Sequence, residues 1–83
     1  MADKMEASLS VLIMSIASSA VMAMGLAPVD ESGKIVKDKN MARFNIDLLL
    51  VLKAKTKGNL SKDEDQFLDN LINDLQMKFV SVN

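Results

Sequence analysis

Residues 7–29 read ASLSVLIMSIASSAVMAMGLAPV and contain no charged side chain. The stretch is too long for a single β-strand and rich in good helix formers, so it predicts one long helix over about residues 4–24. Asp3 is the expected N-cap, with Glu6 completing a capping box, and Gly25 is the expected C-cap. Because this helix is apolar on nearly every side, other protein or lipid must cover it.

Three interpretations of helix 1 compete. A cleaved signal peptide needs a positively charged lead-in, but here Asp3 and Glu6 outnumber Lys4. A transmembrane span is the stronger rival, because the hydropathy of the stretch lies near the customary cut-off. Against a span stand its five serines and the absence of Tyr and Trp anchors. We therefore favour a buried helix of a bundle and keep membrane insertion as the alternative.

Small side chains follow one side of helix 1, where Ser8, Ser15 and Ser19 share a face and Ala23 adjoins it. This stripe is either a weakly polar solvent face or a seam at which a second helix approaches closely. If it is a seam, it predicts an interface between copies of the chain. The predicted interface residues are Leu12, Ser15, Ile16, Ser19 and Ala23.

Residues 25–37 form the predicted loop after helix 1, because Pro28, Asp30 and Gly33 are turn residues. We expect an irregular loop that packs Ile35 against the core, with a small hairpin around residues 30–34 as the alternative.

Helix 2 is predicted over about residues 38–57, capped by Asp38 or Asn40. Arg43 and Asp47 are four residues apart and are expected to form an ion pair on its polar side. Its apolar positions cover most of the circumference, which predicts heavy burial. The stripe with three- and four-residue spacing consists of Met41, Phe44, Leu48 and Val51.

A tight helical hairpin is expected after helix 2. Gly58 is the predicted C′ residue and Leu60 the hydrophobic contact that follows it. Ser61 and Glu64 have the spacing of a capping box, which starts helix 3 over about residues 62–80. The lysines at 53–57 and the acids at 63–65 are expected to pair across this turn. The predicted buried face of helix 3 is Phe67, Leu68, Leu71, Ile72, Leu75 and Phe79.

The composition excludes several kinds of chemistry. The chain of 83 residues has no cysteine and no histidine, so it has neither a thiol nucleophile nor the commonest general base and metal ligand. The net charge is −1 and there are three Phe, which disfavours nucleic-acid binding. We expect no catalytic residue, no cofactor and no metal site. Asp47 lies among leucines and is the one carboxylate that could have a functional role. We prefer the interpretation that it pairs with Arg43 and has a structural role.

Three segments resemble one family. The run A-R-x-x-I-D-x-L-x-x-L-x-x-K-T-K-G-N-L-S at 42–61 is similar to small bacterial proteins called domain of unknown function 1844. The segments I-M-S-I-A-S-S-A-V-x-x-x-G-L at 13–26 and L-x-x-x-I-x-D-L-x-x-x-F-V at 68–80 resemble the same family. The resemblance implies an all-helical, small soluble protein and no particular activity. Residues 22 and 24 are both Met, where the family is expected to vary more.

The sequence therefore predicts one all-α domain over residues 1–83, in which a long apolar helix precedes a tight helical hairpin. Two short partners cannot cover helix 1 completely, so we expect a homo-oligomer, most simply a two-fold dimer. The expected function is a cytoplasmic, non-catalytic interaction or scaffold protein that binds itself, with an unknown protein partner as a further option. A membrane-associated protein and a carrier of a hydrophobic ligand are the alternatives.

Overall fold

The computed structural model describes residues 7–82. The chain forms three helices, α1 (Leu9–Ala23), α2 (Lys39–Lys55) and α3 (Lys62–Ser81). In this part of the chain the only paired extended backbone is a single bridge between Met24 and Lys37. The predicted all-α fold with three helices is confirmed. The expected Asp3 cap and Glu6 capping box lie outside the described residues.

α1 begins later than the predicted start near residue 4. Ser8 has extended backbone angles, and its hydroxyl accepts a hydrogen bond of 3.1 Å from the N–H of Val11. Serine in this position satisfies an N–H group at the helix start, so the cap fixes the first residue as Leu9. The uncharged stretch is therefore divided between a helix of 15 residues and the loop that follows it.

α1 ends in a Schellman motif centred on Gly25. The N–H of Gly25 donates to the carbonyl of Met22 at 3.0 Å, and that of Leu26 donates to Val21 at 3.2 Å. Gly25 has φ of +79°, a conformation that residues with a Cβ adopt only at a cost. Met24 is the C-cap residue of α1, so Gly25, predicted as the C-cap, occupies the C′ position one residue further on.

The loop between α1 and α2 is a turn with exposed apolar flanks. The N–H of Val29 donates to the carbonyl of Lys34 at 2.9 Å, and Asp30 accepts from the N–H of Ser32 at 2.8 Å. The hydroxyl of Ser32 also donates to the Asp30 carboxylate. The hydrogen bonds from this hydroxyl and from the Ser32 N–H lower the pKa of Asp30. The expectation that Ile35 packs on the core is wrong, because its side chain is 53% exposed. The hairpin alternative is closer to the structure.

The ends of α2 and α3 follow local sequence signals. Asp38 is the N-cap of α2 and accepts from the N–H of Met41 at 3.0 Å. Ser61 and Glu64 form the predicted capping box, with reciprocal hydrogen bonds of 3.1 and 2.9 Å. The connection between α2 and α3 is therefore a tight turn over residues 56–61 that ends in the capping box of α3.

The core lies where the three helices face one another. α1 contributes mostly alanine, which lets the backbone of α2 approach closely, while α2 and α3 contribute larger side chains. The N–H of Asp38 donates to the carbonyl of Ala23 at 2.7 Å, so α2 starts beside the end of α1 and runs antiparallel to it. The buried apolar residues are Ile13, Ala17, Ala20, Ala23, Met24, Ala42, Ile46, Leu49, Leu68, Ile72 and Leu75.

Candidate interaction surface

The apolar stripe of α2 lies on the outside of the molecule. Met41, Phe44 and Val51 are exposed, with 54% of Phe44 and 55% of Val51 accessible, and Leu48 is half-buried. The prediction that this stripe is buried is wrong. α2 is apolar around most of its circumference, and α1 and α3 cover only the side that carries Ala42, Ile46 and Leu49.

The predicted interface residues on α1 are divided by the fold. Leu12 and Ser15 are exposed, and Ile16 and Ser19 are half-buried. Ala23 is buried in the core, so another copy of the chain cannot reach it. The Ser19 hydroxyl donates to the Ser15 carbonyl at 3.1 Å, which satisfies it within the helix. A protein surface can therefore cover Ser19 without leaving its hydroxyl unpaired.

The antiparallel packing brings the two helices' exposed side chains into one surface. Counting back along α1 and forward along α2 from the Ala23–Asp38 hydrogen bond places Leu12 level with residues 48 and 49. Ser19 and Met41 line one shallow depression of about 400 Å³, whose wall also includes Val29 and Val36 of the loop and the N-cap Asp38. We call the following residues the α1–α2 face: Leu12, Ser15, Ser19, Met41, Phe44, Leu48 and Val51.

Charged side chains lie at the rim of this face. Arg43 and Asp47 are both exposed, and they line a depression between α2 and α3 together with Leu50 and Phe79. The predicted ion pair between Arg43 and Asp47 is not formed, since the ion pairs of residues 7–82 are Lys53–Asp69 and Lys78–Asp74. Exposed pairs at this spacing are worth little, so water solvates both groups equally well.

The helical hairpin is held by a different ion pair from the one expected. Lys53 pairs with Asp69 on α3, rather than with the acids at 63–65, although Asp65 lies in the same depression. The hydrogen bond to Asp69 raises the pKa of Lys53 above its ordinary value, and the charge of Asp65 adds to this. Leu60 packs half-buried against the core, as predicted for the turn. α2 ends at Lys55 with Thr56 as its C-cap, so Gly58, predicted at C′ and with φ of +87°, lies one residue beyond that position.

The described part of the chain shows neither a metal-binding cluster nor a membrane-spanning helix. Among residues 7–82, no three side chains of the metal-binding types Asp and Glu come together. Over the same range, no helix combines the length and the apolar character needed to cross a bilayer.

The feature that sequence reasoning missed is the exposure of Met41, Phe44 and Val51. Their 3-4-3 spacing, which is also that of a helix–helix seam, was the available signal.

The fold and this surface define a small three-helix protein with an uncharged apolar face. The chain belongs to the family described as Domain of unknown function (DUF1844), whose model matches residues 6–81. This confirms the family expected from the sequence segments. No curated protein and no solved structure matches the chain.

Proposed function

We propose that the protein is a non-catalytic helical interaction module that binds a second copy of itself. The observation that carries this proposal is the α1–α2 face, whose seven defining side chains are uncharged and mostly apolar and exposed, with Asp38 at its edge. Monomeric proteins rarely expose contiguous apolar patches larger than a few hundred Å², and larger ones mark interaction sites. Burial of such a surface is worth roughly 25 cal/mol for each Å² of apolar area.

The chemistry of the chain supports a binding role over catalysis. The chain contains no cysteine or histidine, so acid–base work falls to Asp, Glu and Lys. Asp47, the one carboxylate that the sequence places among leucines, is exposed on the outer side of α2.

The mass of the full chain in solution tests the proposal. Sedimentation equilibrium over a range of concentrations should show a monomer converting to a dimer as the concentration rises. A single-chain mass at every concentration would contradict it. Replacement of exposed Ser15 by Leu should weaken the dimer, because the larger side chain blocks close approach to α1. An unchanged dimer in that variant would show that the α1 serines are not in the contact.

The proposal extends to a cytoplasmic location in a bacterial cell, as the family resemblance implies. Cell fractionation tests this extension directly. Recovery of the protein without detergent supports it, whereas recovery only in detergent favours the membrane-associated alternative.

A carrier of a hydrophobic ligand is the second candidate, and a groove between α1 and α3 favours it. This groove has a volume of about 360 Å³ and lies between Met14, Ala17 and Val21 of α1 and Leu71 and Leu75 of α3. Native mass spectrometry of the purified protein should reveal a bound small molecule if this function is correct. Protein of the bare chain mass, purified without detergent, would exclude it.

A further inference from the structure

We infer that the dimer forms by antiparallel packing of α2 on the partner's α2, around a two-fold axis between Phe44 and Leu48. This inference rests on the proposed self-association and specifies its geometry. Met41, Phe44, Leu48 and Val51 repeat at intervals of three, four and three residues, so they form one line along α2. We call these four residues the α2 seam.

The α2 seam has the accessibility and the residue spacing expected of a helix–helix contact. Three of its four side chains are about half accessible, although each is large and apolar. On one flank lies α1 with the small residues Ser15 and Ser19, which leave room for the partner's helices. A two-fold pair would therefore form a four-helix contact, with α2 and α2′ at the centre and α1 and α1′ beside them.

The accessible area is sufficient for a dimer at the lower end of stable interfaces. The side chains of the α1–α2 face, together with Val29 and Val36 of the loop, offer on the order of 500 Å² of apolar surface per copy. A symmetric pair then buries on the order of 1000 Å² in total, close to the lower limit for specific interfaces. We expect a dimer that dissociates on dilution, not one that is permanently associated.

Charge complementarity selects the antiparallel direction. When Phe44 lies opposite the partner's Leu48, Met41 lies opposite the partner's Val51. Arg43 then lies two residues, or about 3 Å along the axis, from the level of the partner's Asp47. Neither Arg43 nor Asp47 forms an ion pair within residues 7–82, so both are available for this contact. A parallel two-fold pair would place Arg43 and the partner's Asp47 on opposite flanks of the contact, where they cannot meet.

The first test replaces one apolar residue of the seam by an acid. Val51→Glu puts two charges into each dimer contact and should weaken association at least a hundredfold. Met77→Glu is the matched control, because Met77 is 70% exposed on α3, away from the seam and from Arg43 and Asp47. Circular dichroism should show both variants helical, since Val51 is also exposed in the single chain. A wild-type dimer that persists in Val51→Glu would overturn the inference and leave the proposed self-association standing.

The second test reverses the charges at the rim. Arg43→Glu and Asp47→Arg should each weaken the dimer about tenfold, because each change affects two symmetric contacts. The double variant Arg43→Glu/Asp47→Arg should restore association to near the wild-type value. A pair within one chain would not change the dimer mass, so rescue by the double variant identifies a contact between chains. Equal dimer stability in all four proteins would contradict the antiparallel register.

The third test uses the absence of cysteine from the chain. A mixture of Phe44→Cys and Leu48→Cys chains should form a disulfide between the two variants under mild oxidation, because antiparallel packing places these positions opposite each other. Each variant alone should cross-link more slowly. Faster cross-linking of Phe44→Cys with itself would show parallel helices, and no cross-linking in a confirmed dimer would place the contact elsewhere. Met77→Cys, at an exposed position of α3 away from the seam, serves as the control for random collision.

Discussion

At the residue scale, the left-handed conformation of Gly25 decides how α1 stops. Its φ is +79°, and an added Cβ would meet Lys37 and Ile35 only at ordinary contact distances of 3.5 to 3.7 Å. The cost of Gly25→Ala is therefore backbone strain and not a clash, and we expect a loss of about 1–2 kcal/mol in the free energy of unfolding. Gly25→Asn should lose less, because asparagine tolerates this conformation. Urea denaturation of both variants measures the difference. Equal stability of Gly25→Ala and the wild type would show that the left-handed conformation at residue 25 has no measurable cost for alanine.

The ion pair between Lys53 and Asp69 makes a prediction about alkaline pH. Because the folded state raises the pKa of Lys53, the stabilisation is fully present below the pKa of an unfolded lysine. It is lost as the pH rises through the higher folded-state value, so stability should fall above about pH 10.5. The variant Asp69→Asn should show a smaller fall over this range in thermal unfolding. Lys57→Gln, which removes a lysine outside the ion pairs of residues 7–82, should retain the wild-type fall. Identical pH profiles in Asp69→Asn and the wild type would contradict the assignment.

At the scale of the helix, two neighbouring leucines of α2 differ in burial. Leu49 is 0% exposed in the core, and Leu50 is 39% exposed beside α3. Leu49→Ala should lower the free energy of unfolding by about 2–5 kcal/mol, because it leaves a cavity among α1, α2 and α3. Leu50→Ala removes the same atoms from a wetter site and should cost less than about 1.5 kcal/mol. Chemical denaturation compares them directly, and similar losses would mean that α2 is rotated from its described position.

The same helix shows which features could be predicted from sequence and which could not. Several helix ends were predictable because caps are local: Asp38, Ser61 and Gly25 act within one turn of where they stand. The buried side of α2 was not predictable, because nearly every side of it is apolar and only tertiary packing selects one. The missing pair of Arg43 and Asp47 has the same origin, since helical spacing permits an exposed pair but supplies little energy to hold it.

At the scale of the whole molecule, a chain this short gains much from assembly. Small domains bury a limited fraction of their surface, and this one retains exposed apolar side chains on two of its three helices at the α1–α2 face. The exposure of Leu12 and Ser15, two residues of the predicted interface, could be predicted from the sequence because small and apolar positions alternate around α1. The α2 seam could not, because its exposure depends on where α1 and α3 leave α2 uncovered.

Self-association links folding to concentration, which gives a prediction for the intact protein. If folded chains pair and unfolded chains do not, mass action raises the apparent stability as the concentration rises. A tenfold increase in concentration should raise the free energy of unfolding by about 1.4 kcal per mole of dimer. The midpoint temperature of unfolding should therefore rise. In Val51→Glu the midpoint should be nearly independent of concentration, whereas Met77→Glu should follow the wild type. Thermal scans by circular dichroism over a hundredfold range of concentration measure this. A wild-type midpoint that stays constant over that range would mean that the folded chain is complete by itself, with its apolar face open to water.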